Sequence, residues 1–332
     1  RRFSSPVIWE SDLSIDDYLF LFLNDNDCFS RWDSGQILMR EIIKNNINKH
    51  VNYSLEYSFI NAIKETIKSL EINDSFLLST LLTIPGLAEL EPLFEKVDPI
   101  NIYKESLNFQ VLIGNKIHQE LRVLSENILL NINQEWPMGR GERKLLGTIW
   151  SYLALAGDEG IKKDCVEAIV SSSMTMARSA LRALKPLDSP ETEEASNLFY
   201  DLWKENPVVL DSWFAYEASR PHKQGINVIE KLLAHSKFDW KAPNAIRAVI
   251  GGFSKNIESF HSIDGQGYLF MAEKIIEVDK INPITASRMV KIFSKWKTYI
   301  DKNKEEMYKS ILKINKANIS SNTREVVELI LK

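Results

Sequence analysis

From Ser11 onward the apolar residues recur at a spacing close to 3.6, the period that lays a single stripe along an α-helix. In the stretch SIDDYLFLFLNDNDCFSRWDSGQILMREIIKNNI, Trp32, Gln36, Met39 and Ile43 fall at i, i+4, i+7 and i+11, with Leu38 and Ile42 beside them. Start signals agree with the stripes. Ser189-Pro190-Glu191 and Asn282-Pro283 each put a capping residue before a proline, and Asp98-Pro99 and Asn206-Pro207 read the same way. Proline suits a first helical position because the N–H it lacks would have no partner there. Short polar links such as GDEG (157–160) and KPLDSPE (185–191) separate the helical stretches. Links this short make neighbouring helices antiparallel. The prediction is an all-α fold, a superhelical array of antiparallel helix pairs of the armadillo/HEAT α-solenoid type with a degenerate repeat. Only Pro6-Val7-Ile8-Trp9 reads as a short extended segment, at the N-terminus.

Composition narrows the class without naming a function. The 332 residues are 44% hydrophobic and 26% charged, and 41 basic against 45 acidic side chains leave a net charge of −4. No Lys/Arg block stands out, which argues against nucleic acid as a partner. Apolar runs such as 77–82 fall far short of the roughly 20 residues that span a bilayer, so no membrane is expected either. The opening RRFSSPV has no apolar segment of the signal-peptide kind. Two cysteines, Cys28 and Cys165, build no disulfide framework, as suits a reducing cytoplasm. The chain begins without methionine, which implies removed residues or a piece of something larger.

Catalytic patterns are missing. None of the five histidines (His50, His118, His222, His235, His261) lies four residues from another, the spacing a helical zinc site of the HExxH type needs. His118-Gln119-Glu120 comes nearest, but residue 122 is Arg. No GxSxG elbow or phosphate-binding GxxxxGK[ST] occurs. Gly139-Arg140-Gly141 and Gly265-Gln266-Gly267 are bare GxG pieces that read as loop punctuation. Glu193-Glu194 reads as a solvated face. Neither a catalytic residue nor a metal site of the chain's own is expected.

Two arginines and one turn call for attention. In NPITASRMVKIFSKWKTYI (282–300) the stripe is Ala286, Met289/Val290, Phe293, Trp296 and Ile300; Arg288 points away from it and shares its face with Ile284. In APNAIRAVIGGF (242–253) Arg247 flanks the stripe Ile246, Val249/Ile250 and Phe253, and Gly251-Gly252 implies a helix end or a close backbone approach. Each arginine is a solvated helix charge or a ligand contact. In FHSIDGQGYLFMAE (260–273) Asp264-Gly265-Gln266-Gly267-Tyr268 is a phosphate cradle, a sharp corner between helices or a cavity wall.

NPVVLDSWFAYEAS (206–219), PNAIRAVIGGF (243–253), FHSIDGQGYLFMAE and NPITASRMV (282–290) together resemble the C-terminal helical domain of the bacterial aminopeptidase N family, the zinc alanyl aminopeptidases. RRFSSPV (1–7) and FSRWDSGQILM (29–39) are similar to the family's passage from a small β-sandwich into that domain. LLTIPGLAELEPLFEKVDPINIY (81–103) and MTMARSALRAL (174–184) fall between in matching order. The resemblance implies residues 1–10 as the end of the β-sandwich or linker and 11–332 as the helical domain. It implies a non-catalytic part of an enzyme that releases N-terminal residues from peptides, with one Zn2+ held by HExxH in a catalytic domain that this chain lacks. In the family the helical domain closes over the active site and gates peptide entry. The partners implied are the enzyme's own catalytic and β-sandwich domains and peptide substrates. Arg247 and Arg288 inherit a place on the cavity wall. Ile284 stands where the family carries glutamine, a departure that favours apolar residues in the substrate. Asp264, Gly265, Gly267 and Tyr268 then read as a structural corner setting the two arginines relative to each other. The competing expectation is a free-standing helical-repeat scaffold that binds a protein partner on its concave face.

Overall fold

The computed structural model describes residues 11–70, 74–132, 138–171, 173–222 and 225–332. The short extended segment expected at Pro6–Trp9 lies outside them. Among the described residues the fold is all-α; the one strand-like feature is an isolated parallel bridge between Val97 and Tyr299. The helices form two compact units. The first draws on Arg1–Leu93 and Asn101–Leu184, the second on Phe94–Ile100 and Lys185–Lys332.

In the first unit the helix Arg140–Leu155 is buried along most of its length. It packs against Ser75–Leu81 and Met174–Leu184. Gly147 makes the second contact possible, because a Cβ there would stand 2.6 Å from the Ser179 Cβ. Trp150, Tyr152 and Leu153 fill the interior, and the Tyr152 hydroxyl donates to the Leu82 carbonyl at 2.6 Å. The amphipathic stripe of Cys28–Ile47 is buried at Gln36, Leu38, Met39, Ile42 and Ile43, while Trp32 at its start is only half-buried.

The second unit carries the predicted capping residues. The side chains of Ser189, Asn206 and Asn282 accept backbone N–H groups at the starts of Pro190–Trp203, Pro207–Ser219 and Pro283–Val290, with proline as the first helical residue each time. One element departs from the sequence pattern. The stripe over 282–300 is not one helix: it stops at Val290 and continues as 3-10 turns at Lys291–Phe293 and Trp296–Thr298. The far end of the segment is held by a partner distant in sequence. Val97 N–H donates to the Thr298 carbonyl and Ile300 N–H to the Val97 carbonyl, both at 2.9 Å. That pairing turns Tyr299 inward in place of Ile300.

Candidate functional site

Arg247 opens a π-turn. The helix starts at Pro243 and widens over Arg247–Gly251, a rare geometry that inserts an extra residue into one turn and is frequent at functional sites. Ile246, Val249, Ile250 and Phe253 are fully buried. Arg247 is exposed, and its guanidinium donates to the Asn244 side-chain oxygen one turn earlier. The two glycines that follow differ in surroundings. A Cβ on Gly252 would meet the Ala218 Cβ at 3.1 Å and the Ala215 carbonyl at 3.5 Å, so glycine there brings the Pro207–Ser219 helix close.

From Phe253 the chain reaches the Asp264–Tyr268 turn through an aromatic seam. Phe253 meets Phe260 and Phe270 edge-on, at 5.8 and 5.5 Å between ring centroids. Asn256, buried, caps the short helix Ile257–Phe260 and also donates to the Arg220 carbonyl at 2.8 Å. Gly265 is the N-cap of Gln266–Asp279 with φ of 72°, a left-handed conformation that glycine adopts without a Cβ clash. The Asp264 carboxylate accepts the Ser262 hydroxyl at 2.7 Å and the Gln266 N–H at 3.1 Å. Those bonds hold its carboxyl below the usual range. Gly267 lies against backbone, since a Cβ on it would stand 2.4 Å from the carbonyl oxygens of Ser259 and Phe260.

Tyr268 locks the turn from inside. Asn303 donates to the Tyr268 hydroxyl and to the His261 carbonyl, at 2.8 and 2.9 Å, and the Tyr268 hydroxyl lies 2.8 Å from His261 Nδ1. Burial pushes the His261 pKa down to about 3. The ring is therefore neutral at ordinary pH, and its Nδ1 and the Tyr268 hydroxyl share one hydrogen bond.

Arg288 stands on Pro283–Val290, where Thr285, Ala286, Met289 and Val290 are buried while Arg288 and Ile284 are exposed, Ile284 at 58%. The start of this helix is tied to the end of the chain. The Asp279 carboxylate accepts the Ser320 N–H and hydroxyl, both at 2.6 Å, and the Thr323 hydroxyl, which also reaches the Pro283 carbonyl at 3.4 Å. Arg247 and Arg288 thus occupy separate helices of one unit. Phe253 couples the first to Gln266–Asp279, and that helix packs against the second.

A buried ionic network escaped the sequence reading. Arg220 is 3% exposed and bonds Glu193 and Glu217; Glu217 also accepts the Ser196 hydroxyl at 2.6 Å. Burial disfavours the Glu217 charge, but His222, Arg220 and Ser196 outweigh it and hold the carboxyl below the usual range. Glu193, Glu217, Arg220 and His222 line a polar cavity of about 430 Å3 with Asp188 and Val228. Glu193 and Glu194 are both exposed, as their polar face predicts; what the spacing did not show is the partner of Glu193. Its side chain is 61% exposed, yet it grips a buried guanidinium. Glu217 and Arg220, three residues apart in AYEASRP, were the available signal. For the zinc that the resemblance implies, the residues do not fit: among the described residues no three His, Cys, Asp or Glu side chains group as ligands. No helix among them is long and apolar enough to cross a membrane.

Residues 15–332 match the family described as "Domain of unknown function (DUF3458_C) ARM repeats". The chain is similar to aminopeptidase N of Escherichia coli (30% identity over 92% of this chain and 36% of that protein). It is also similar to aminopeptidase N of Caulobacter vibrioides (27%, over 90% and 35%) and of Haemophilus influenzae (25%, over 99% and 38%). The chain thus spans little more than a third of these relatives, and the matched part is their C-terminal region. Among solved structures it is similar to Legionella pneumophila aminopeptidase A, crystallised in complex with aspartic acid. The TM-score is 0.88 at 26% identity, covering 99% of this chain and 40% of that one.

Proposed function

Since this chain belongs to the ARM-repeat family just described and is homologous to the C-terminal region of aminopeptidase N, we propose that it is the non-catalytic C-terminal domain of a zinc metallo-aminopeptidase. On this reading it encloses the active-site cavity, gates peptide entry and touches the far end of the substrate, while the parent enzyme releases N-terminal residues in the cytoplasm. The observation that carries it is the shape of the match. Nearly all of this chain aligns with little more than a third of each aminopeptidase N. Zinc and the bond-breaking groups belong, on the same reading, to the part of the enzyme beyond this chain. The partners are the enzyme's own catalytic and β-sandwich domains, and peptides.

Arg247 and Arg288 supply the wall contacts. Arginine suits this role because its planar fork of donors holds a carbonyl or carboxylate at fixed geometry and stays charged at any ordinary pH. Both side chains are exposed on helices whose other faces are packed. Ile284, one turn before Arg288, adds an apolar contact. The test is Arg288→Ala in the full-length enzyme. The expected result is a KM rise of about tenfold for an alanine pentapeptide with little change for an alanyl anilide, the scale of one lost substrate contact. Equal effects on both substrates, or none on either, would overturn the assignment.

A further inference from the structure

The helix that carries Arg247 is walled in on nearly every side, with Ile246, Ala248, Val249, Ile250 and Phe253 all buried. Beyond Pro243 at its start, solvent reaches it along one strip, the exposed Asn244 and Arg247 and the half-buried Gly251 and Ser254, spaced so that they fall one above the next. The strip presents an amide, a guanidinium, bare backbone and a hydroxyl, and the Ser254 hydroxyl donates to the Gly251 carbonyl at 2.7 Å. The partner of the Arg247 guanidinium is the neutral amide of Asn244 rather than a carboxylate. Its positive charge is therefore left to complement something negative.

Gly251 has no packing reason to be glycine. A Cβ there would meet only the Arg247 Cβ, at 3.9 Å, which is ordinary contact, and its φ is not positive. Glycine is among the poorest helix formers, so the position carries a local cost that the fold does not require. Gly252, one residue on, is the glycine that the neighbouring helix needs. What the bare position does provide is open floor beside the stem of Arg247, since a side chain four residues on would stand over that stem.

We propose that Gly251 is a specificity-determining residue. Its missing side chain leaves room for the main chain of a peptide of three or more residues to lie along the strip, with a peptide carbonyl or the terminal carboxylate on Arg247. This inference rests on the cavity reading above and names the substrate class that uses it: oligopeptides, not single-residue amides or anilides.

The experiment compares Gly251→Ala, Gly251→Leu and Arg247→Ala with the parent full-length enzyme on an alanine pentapeptide and an alanyl anilide. A graded rise in pentapeptide KM is expected, small for Ala and about tenfold for Leu. Unchanged kcat, unchanged anilide kinetics and a thermal midpoint at or above the parent's should accompany it. An unchanged pentapeptide KM in both glycine variants, while Arg247→Ala raises it, removes the Gly251 inference and leaves the cavity reading standing. If Arg247→Ala has no effect either, the reading falls and the inference with it. Equal losses on both substrates assign Gly251 to the fold and overturn the proposal. Should the leucine variant fail to fold, the alanine variant decides, because its Cβ meets no atom closer than 3.9 Å.

Discussion

Replacing Gly267 by alanine should unseat the turn that joins the Arg247 and Arg288 helices. The new Cβ would stand 2.4 Å from two carbonyl oxygens and 2.7 Å from the Phe260 Cα, about 1 Å inside the distance at which such atoms normally rest. All three obstacles are backbone, so no rotamer change relieves them. The Gln266–Asp279 helix must back away from Ile257–Phe260, and Tyr268 is the residue next to the clash. Its ring sits edge-on to Phe260 with centroids 5.2 Å apart, and its hydroxyl is bonded at 2.8 Å to both His261 and Asn303. Overpacking of this kind costs about 1–3 kcal/mol, and weakening two buried hydrogen bonds adds about 1 kcal/mol each. Alanine's better helix propensity returns at most about 1 kcal/mol. The net expectation is a loss of about 3 kcal/mol, or a thermal midpoint lower by about 9 °C for a unit of this size. Far-UV circular dichroism melts and urea titrations of parent and variant measure it, with Gly251→Ala as the matched control that has room for its methyl group. A Gly267→Ala variant that loses less than about 1 kcal/mol, or that behaves like the control, would refute the claim that this glycine is set by backbone contact.

Two further outcomes follow from titratable and reactive groups. Burial works against the charge of Asp279, but the bonds from Ser320 and Thr323 prevail and its folded pKa is lowered. A lowered carboxyl contributes stability that is present above its unfolded pKa of about 4 and lost as pH falls through the folded value. Urea unfolding across that acid range should show less pH dependence in Asp279→Asn than in the parent, and identical slopes would refute the tether. Cys28 is exposed, whereas Cys165 is buried with its thiol pushed up by burial and then by the Asp164 carboxylate. Iodoacetamide should therefore modify one thiol in the native protein and two after denaturation, as read by intact mass; rapid native labelling at Cys165 would contradict its burial.

Much of the fold was legible because helices are local. A capping residue before a proline and a stripe at 3.6 residues need no knowledge of the rest of the chain, and Ser189, Asn206 and Asn282 act as their neighbours predict. The misses share one physical cause, a partner far away in sequence. The 282–300 stripe stays periodic to Ile300, yet Val97 pairs beside Tyr299 and the helix has already ended at Val290. Glu193 is exposed as its polar face predicts, and what spacing could not show is its bond to the buried Arg220 guanidinium, 27 residues on.

The π-turn is a subtler case. Burial of Ile246, Val249, Ile250 and Phe253 satisfies an α-helical stripe as well as a widened one, so periodicity could not show the extra residue at Arg247–Gly251. The two glycine pairs make the same point about the site. By sequence, Gly251 and Gly252 look alike, as do Gly265 and Gly267. In the structure Gly252 admits a neighbouring helix, Gly265 adopts a left-handed backbone and Gly267 rests on carbonyl oxygens, while a Cβ on Gly251 would meet only the Arg247 Cβ, at an ordinary contact distance. Three of these four glycines are accounted for by contacts or by φ. The fourth lies one turn from the exposed Arg247, whose guanidinium bonds the Asn244 amide, and the peptide contact proposed above is the explanation we advance for it.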